Sequence, residues 1–308
     1  MADRLLVITG PTTSGKSDVA LEVARRLDGE IVSMDSRQVY RGMDIGTAKP
    51  DRATRQAVPH HGLDLIDPDQ RYSAGQFARD AHGWFAGIHR RGRVPILAGG
   101  TGFFLRALTT PLFGEPVLDC ERRERLKHWL AGVPLPQLRD WAVRLDDAAL
   151  TAASDPQRLA RRIEVALLTG RPLSWWHRHG AAGPALLPLV FVLELPRAEL
   201  YRRIDARVQS MIARGLVGEV QALLGRGYDQ HDPGMNAVGY IELLPHLRGE
   251  RTLDEAIELI QSATHRYARR QLTWFRNQLP AGHSRLDASA PVAVLAERIM
   301  AEWGRVEA

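Results

Sequence analysis

The sequence has a single cysteine, Cys120, among its 308 residues. One cysteine excludes an internal disulfide and a cysteine-rich zinc site, and it is typical of a protein from a reducing compartment. No apolar run approaches the ~20 residues that span a bilayer, so no membrane-spanning helix is expected. The first ten residues, MADRLLVITG, show no cleavable signal pattern. We therefore expect a cytoplasmic protein without a membrane partner.

Internal repeats and low-complexity linkers are also absent, and neither sign of charge dominates. Forty-one basic residues against 36 acidic ones give a formal net charge of +5. This modest excess is compatible with a polyanionic partner, although many basic enzymes bind no nucleic acid. With 44% hydrophobic and 25% charged residues, the composition indicates one large or two modest globular domains.

A phosphate-binding motif follows the apolar segment Leu5–Thr9, which predicts a short buried strand. Gly10–Ser17 matches GxxxxGK followed by Ser or Thr, and apolar residues at helical spacing come next. The glycines let backbone N–H groups converge on a phosphate at the positive helix end, while the Lys16 ammonium adds charge and the Ser17 hydroxyl can bind Mg²⁺. We favour this interpretation over an ordinary glycine-rich turn. The residues predicted to bind a diphosphate or triphosphate are Gly10, Pro11, Thr12, Thr13, Ser14, Gly15, Lys16 and Ser17.

Two further predicted strands end in polar candidate residues. Glu30–Ser36 is a short strand that ends at Asp35, and Val94–Ala98 leads into a second glycine-rich turn that contains Thr101. Ligands of open α/β sheets bind beyond the carboxyl ends of the strands, so both side chains are expected to face the phosphate. Plain turn-forming roles are the alternative at both positions.

Strand patterns disappear between residues 117 and 186. Helices are predicted at Glu121–Leu130, Leu135–Leu145 and Pro156–Leu168. The apolar segment Leu189–Leu195 then predicts a return to the sheet. We therefore predict an α/β fold, with a P-loop NTPase-like parallel sheet core formed by residues 1–116 and 187–308 and an inserted all-helical domain at residues 117–186.

Basic residues cluster at two places outside the phosphate motif. Arg158–Arg178 contains five arginines against one acid, together with two tryptophans. Such a segment suits single-stranded nucleic acid or, equally, a solvated helix face over a tryptophan core. A long helix predicted at Leu253–Arg276 gathers Arg266, Arg269 and Arg270 within one turn.

Two other features have simpler expectations. The loop at Gly42–Pro50 contains Lys49, which we weakly assign to the phosphate. The pair His60–His61 resembles a metal site, but adjacent side chains of a strand point apart and no third ligand is evident, so a structural role is expected.

The residues alone favour a transferase that acts on a phosphorylated compound. A small-molecule kinase is the default, with Asp35 accepting a proton or holding Mg²⁺. The basic helical insertion and the arginine patches favour an acceptor on RNA.

Nine sequence blocks occur in an order and at spacings that resemble the tRNA dimethylallyltransferase (tRNA isopentenyltransferase) family over nearly the whole chain. The blocks are GPTTSGKS at Gly10–Ser17, DSRQVY at Asp35–Tyr40, IGTAKP at Ile45–Pro50, VPHHGLDLIDP at Val58–Pro68, YSAGQF at Tyr72–Phe77, GGTGFF at Gly99–Phe104, DPQR at Asp155–Arg158, AVGY at Ala237–Tyr240 and RYARRQLTWFR at Arg266–Arg276. The departures are Thr13 where alanine is usual, Ser17 for threonine and Phe104 where tyrosine is common.

The resemblance implies transfer of the dimethylallyl group from dimethylallyl diphosphate to N6 of adenosine 37 in tRNA, giving isopentenyladenosine and diphosphate. The P-loop, a nucleotide- and ATP-binding motif elsewhere, then holds the isoprenoid diphosphate. Asp35 is implied to accept the N6 proton, with Lys16, Thr101 and Mg²⁺ on Ser17 stabilising the leaving diphosphate. A flipped-out target base is expected.

The implied partners are the anticodon stem-loop of tRNA and dimethylallyl diphosphate, for a protein expected to be a monomer. The implied tRNA-binding residues are Asp35, Ser36, Arg37, Gln38, Thr101, Arg123, Gln157, Arg158, Leu159, Ala160, Arg161, Asn236, Ala237, Val238, Gly239, Tyr240, Ile241, Arg266, Arg269, Arg270, Gln271 and Thr273. Two alternatives stay open: a small-molecule kinase or an adenylate prenyltransferase, and a non-catalytic RNA-binding P-loop protein.

Overall fold

The computed structural model describes residues 4–110, 119–147, 155–179 and 186–307. The chain divides into two compact units, one formed by Met1–Thr109 with Leu186–Ala308 and the other by Thr110–Ala185. The strands of the described residues all belong to the first unit, and the described part of the second unit is helical. No helix among these residues is long and apolar enough to cross a membrane.

Six parallel strands form one sheet in the first unit. They are β1 (Arg4–Thr9), β2 (Gly29–Ser33), β3 (His60–His61), β4 (Val94–Gly99), β5 (Leu187–Glu194) and β6 (Ser284–Asp287). Their order is β3-β2-β4-β1-β5-β6, and each neighbouring pair is parallel. The predicted parallel sheet is confirmed, and its order brings the loops after β1, β2 and β4 to one edge. The sequence does not predict β3 and β6, because so few residues of mixed polarity show no period.

Thirteen α-helices occur in the described residues. They are α1 (Lys16–Arg26), α2 (Arg52–Ala57), α3 (Ala74–Arg90), α4 (Gly102–Thr109), α5 (Cys120–Ala131), α6 (Leu135–Leu145), α7 (Pro156–Thr169), α8 (Leu173–His179), α9 (Arg197–Ala213), α10 (Leu216–Gly225), α11 (Leu244–Leu247), α12 (Leu253–Gln278) and α13 (Val292–Glu307). The segment after Gly215 contains α10. Gly215 adopts a left-handed conformation with φ of 98° and starts this second helix directly after α9.

The helical unit has its own small core. Leu130 of α5 and Leu138 of α6 pack with Leu159 and Ile163 of α7. Trp129 and Trp141 stack with ring centroids 5.1 Å apart, although Trp129 remains half exposed. The predicted helices of this region are confirmed to within about two residues at each end.

A buried carboxylate ties together the sheet end opposite the phosphate motif. Glu30 of β2 is 1% exposed and accepts hydrogen bonds from Arg91 at 2.6 and 2.8 Å. Its carboxylate also lies 2.7 Å from His61 Nε2 and 3.3 Å from Arg93 Nη1. The Arg91 hydrogen bonds, and then that of His61, lower the pKa of Glu30 to about 2 against the cost of burial.

We expect Glu30→Gln to destabilise the fold by about 3 kcal/mol at neutral pH, since the folded-state pKa lies some 2.5 units below its ordinary value. A depressed carboxyl pKa stabilises the fold above the unfolded value, near pH 4.5, and this stabilisation is lost as the pH falls toward 2. Urea unfolding at pH 7 and pH 3 measures both effects. Between pH 7 and pH 3 the parent should lose more stability than the variant, so the difference in unfolding free energy between the two proteins should shrink. A difference that is the same at both pH values would contradict the assignment.

Candidate active site

The loop between β1 and α1 is the predicted phosphate-binding segment Gly10–Ser17, which we call the cradle. Gly15 has φ of 83° and caps α1 in a left-handed conformation that favours glycine. The Ser14 N–H donates to the Pro11 carbonyl at 3.3 Å, and Lys16 Nζ donates to the same oxygen at 3.2 Å. Ser14 Oγ is buried and finds no hydrogen-bond partner among the described residues. The cradle therefore offers an unused hydroxyl and the helix N-terminus to an anion.

The ends of β2 and β4 meet beside this cradle. The Thr101 N–H donates to the Met34 carbonyl at 3.1 Å, and the Ser36 N–H donates to Thr101 Oγ1 at 3.1 Å. The carboxylate of Asp35 accepts the Arg37 N–H at 2.8 Å. The tertiary structure thus brings Asp35 and Thr101 together at one sheet edge, as the strand order requires.

A cavity of about 280 Å³ opens at this edge. Its polar lining includes Lys16, Ser17, Asp35, Gln38 and Arg207. Its apolar lining is Ile204, Val208, Met211, Val238 and Ile260. A cavity that is lined by both cationic and aliphatic side chains can accept a ligand that has an anionic part and an apolar part.

Arg207 is a cavity residue that the sequence analysis missed. It lies on α9 three residues after Ile204 and four before Met211, so one face of the helix presents all three to the cavity. The signal that the sequence offered for this residue was a single arginine within the apolar stripe of the helix. Burial lowers the pKa of Arg207, and the Asp35 charge opposes this effect.

The charges of Lys16, Arg207 and Asp35 influence one another in the cavity. Burial, followed by the charge of Arg207, lowers the pKa of Lys16 to about 8, while Asp35 acts in the opposite direction. Burial and then the Asp35 charge raise the pKa of Tyr267 above its usual range. Tyr267 therefore stays protonated.

Helix α12 presents two different faces. Tyr267, Arg270 and Gln271 line the cavity, whereas Arg266, Arg269 and Thr273 are exposed. The Gln271 carboxamide, predicted from the resemblance to contact tRNA, is buried and bonded to the Thr12 N–H and the Gly100 carbonyl.

The segment 236–241 is also divided between surface and interior. Asn236, Ala237, Val238 and Gly239 line the cavity, and Ile241 is exposed. Ala237 and Tyr240 are buried, with the Tyr240 hydroxyl donating to Glu219 at 2.5 Å. Glu219 also accepts the N–H groups of residues 44–46 at 2.7 to 3.1 Å. One carboxylate thus ties this segment to the loop beside the cavity.

The candidate residues of the helical unit include both paired and exposed groups. Leu159 is a core residue, and Ala160 packs against that core. Arg123 and Arg161 both donate to the buried Glu164 carboxylate. Gln157 and Arg158 are exposed at the start of α7. These two ion pairs with Glu164 balance part of the positive charge of this region inside the unit.

The prediction that Lys49 serves the phosphate is wrong. Its side chain is fully buried and donates to the Tyr40 carbonyl, Asp44 and Asp64 at 2.5, 2.8 and 2.6 Å. A buried ammonium needs such partners, and these use all three of its protons. Lys49 holds its own loop rather than a ligand.

The structural role of His60–His61 is confirmed. His60 Nδ1 lies 2.7 Å from the Val58 carbonyl, and His61 bonds to Glu30. Nowhere in the described ranges do three or more His, Cys, Asp or Glu side chains gather as a metal site.

The strand order and the glycine-rich loop after β1 define a P-loop α/β protein with a cavity at the carboxyl ends of its strands. Residues 38–278 match the family model described as IPP transferase, and residues 3–64 match the model described as isopentenyl transferase. The chain belongs to the tRNA dimethylallyltransferase family, and it is a transferase.

Relatives with assigned names support this membership. The chain is 46% identical over 276 residues to the tRNA dimethylallyltransferase of Geobacter metallireducens, with 89% of each chain covered. It is 47% identical over 283 residues to the one of Halorhodospira halophila, covering 90% of this chain and 91% of the relative.

Solved structures confirm the predicted P-loop NTPase-like fold class. The tRNA isopentenylpyrophosphate transferase of Bacillus halodurans has a TM-score of 0.72 and 34% identity, with 99% of this chain and 97% of that chain covered. A eukaryotic dimethylallyltransferase solved acting on tRNA has a TM-score of 0.79 and 27% identity, covering 93% of this chain and 74% of that chain.

Proposed function

We propose that the protein transfers the dimethylallyl group from dimethylallyl diphosphate to N6 of adenosine 37 in tRNA. The observation that supports this most directly is the cavity, which combines the phosphate cradle, an aliphatic wall and the Asp35 carboxylate. A kinase acting on a small molecule would have no need of the aliphatic wall. The family relatives named tRNA dimethylallyltransferase agree with this choice.

In the proposed reaction, N6 attacks C1 of the dimethylallyl group, and the bond between C1 and the diphosphate oxygen breaks. A neutral exocyclic amine is a weak nucleophile, so Asp35 accepts the N6 proton as the bond to carbon forms. Negative charge collects on the departing diphosphate. The cradle N–H groups, Lys16, Arg207 and the Thr101 hydroxyl stabilise this charge.

The donor set of the cavity fits Mg²⁺. The Ser17 hydroxyl lines the cavity at the cradle, and this cation is usually bound by one or two protein oxygens together with substrate phosphates and waters. Ser17 would hold the ion. When bound, Mg²⁺ would neutralise charge on the diphosphate.

Each unit has its own proposed tRNA contacts among the predicted residues that reach the cavity or the solvent. In the first unit they include Arg37, Gln38, Asn236, Ile241, Arg266, Arg269, Arg270 and Thr273. In the second unit they include Gln157, Arg158, Arg123 and Arg161. The insertion 117–186 would serve as a tRNA-binding domain. We retain the expectations of a monomer and of a cytoplasmic location as parts of this proposal.

Product analysis tests the reaction. The protein is incubated with Mg²⁺, dimethylallyl diphosphate and unmodified tRNA, and the digested nucleosides are weighed by mass spectrometry. We expect an adenosine heavier by one dimethylallyl group, located at position 37 by sequencing of RNA fragments. A tRNA that stays unmodified while free nucleotide is prenylated or ATP is consumed would overturn the proposal.

A further inference from the structure

Gln271 contacts the phosphate cradle although it belongs to the sequence block that is predicted to bind RNA. It is 7% exposed in the middle of α12. Its Oε1 atom accepts the Thr12 N–H at 2.8 Å, and its Nε2 atom donates to the Gly100 carbonyl at 2.9 Å. The first partner can only donate and the second can only accept, so the carboxamide has one orientation. A carboxylate lacks the donor that Gly100 needs, and an aliphatic side chain lacks both groups.

Neighbouring contacts show that this face of α12 is fitted to the two loops. Tyr267, one turn before Gln271, lines the cavity. A Cβ atom on Gly100 would overlap the Gln271 amide, and one on Gly102 would overlap the Trp274 indole. Gln271 and Trp274, one turn apart on the helix, therefore lie against residues 100–102. Gln271 also reaches the cradle through Thr12.

We propose that Gln271 is a positioning residue for the diphosphate site, which holds the cradle and the turn after β4 at a fixed separation. Its removal frees the Thr12 N–H and the Gly100 carbonyl, so the cradle loses its support from α12. The diphosphate then binds a loop that must be ordered at the moment of binding, which weakens affinity. This inference rests on the proposed function for the role of the diphosphate, but its test needs no turnover.

The test compares two affinities in Gln271→Ala: that for inorganic pyrophosphate with Mg²⁺, and that for an anticodon stem-loop RNA without pyrophosphate. We expect the pyrophosphate Kd to rise about tenfold, the effect of losing one or two hydrogen bonds that order the loop. The RNA Kd should stay within about twofold. Arg269→Gln, on the exposed face of the same helix, should show the opposite pattern. Gln278→Ala is the matched control, because this exposed glutamine ends α12.

A second variant distinguishes positioning from general damage to the fold. In Gly100→Ala the added Cβ displaces the Gln271 amide, so the pyrophosphate Kd should rise in the single variant. Combined with Gln271→Ala, which removes the most strongly overlapping group, the same change should add less than it does alone, because the remaining close contact of the new Cβ is with the Gly10 carbonyl at 3.3 Å. Gln271→Met, which keeps most of the side-chain volume, replaces the alanine variant if thermal unfolding shows the latter to be unstable.

Two results would overturn the inference. One is a pyrophosphate Kd that is unchanged in Gln271→Ala. The other is a selective loss of RNA affinity, which would make Gln271 an RNA contact as the sequence block suggests. A chain that binds pyrophosphate as expected but prenylates no tRNA would instead contradict the proposed function alone.

Discussion

Asp35→Asn is expected to lower the turnover of tRNA prenylation by about 10²–10⁴-fold, the usual contribution of a positioned general base. Asparagine keeps the shape of the side chain and its acceptor oxygen, so it can still receive the Arg37 N–H that Asp35 receives at 2.8 Å. It cannot accept the N6 proton. Single-turnover rates of prenyl transfer at saturating tRNA and dimethylallyl diphosphate measure the loss.

The control for Asp35 is binding rather than rate. The pyrophosphate Kd of Asp35→Asn should change by no more than about threefold, because Asp35 is not part of the cradle. Removal of one negative charge beside Lys16 and Arg207 would, if anything, tighten anion binding. Unchanged turnover in the variant would remove Asp35 from its proposed role, and a collapse of pyrophosphate affinity would make it a binding residue.

Lys16→Met is expected to lower kcat/KM for dimethylallyl diphosphate by about 10²–10³-fold, as loss of a group that stabilises developing charge does. The ammonium lies in the cradle, and its pKa of about 8 places its titration close to physiological pH. Steady-state kinetics with saturating tRNA at pH 7 measures the loss. A decrease of less than about threefold would contradict a role in charge stabilisation.

The same residue predicts a pH dependence with a defined sign. A lysine with a lowered pKa is protonated below about pH 8, so the free protein should bind pyrophosphate well there and progressively more weakly above it. Lys16→Arg retains its charge at all these pH values. The ratio of the two Kd values between pH 7 and 9.5 cancels the ionisation of pyrophosphate itself. A constant ratio would show that Lys16 does not titrate in this range.

Much of the site could be predicted because its motifs are local in sequence. Gly10–Ser17 places the phosphate-binding groups within eight consecutive residues, and the strand that precedes them is apolar because both faces of a parallel sheet are buried. Asp35 and Thr101 each follow a predicted strand. Their approach to the cradle follows from the general position of ligand sites at the carboxyl ends of such strands.

Residues that reach the site from distant helices could not be assigned in the same way. Arg207 on α9 and Tyr267 on α12 line the cavity only because those helices pack beside the sheet edge. Their own segments show an apolar stripe and an arginine patch, which are compatible with several partners. Lys49 is the opposite case: its position in a loop beside phosphate motifs suggested a ligand contact, but its ammonium is buried and paired with Asp44 and Asp64.

The family, the parallel sheet and the succession of most helices could be predicted without the folded structure, because they depend on short motifs and local periodicity. Only the folded structure reveals which side chains line the same cavity and which form hydrogen bonds or ion pairs with one another. Gln271 illustrates the difference: its block resembles an RNA-binding motif, yet its carboxamide spans Thr12 and Gly100. Hydrogen-bond partners separated by 171 and 259 residues leave no local pattern, so only packing of the folded chain reveals them.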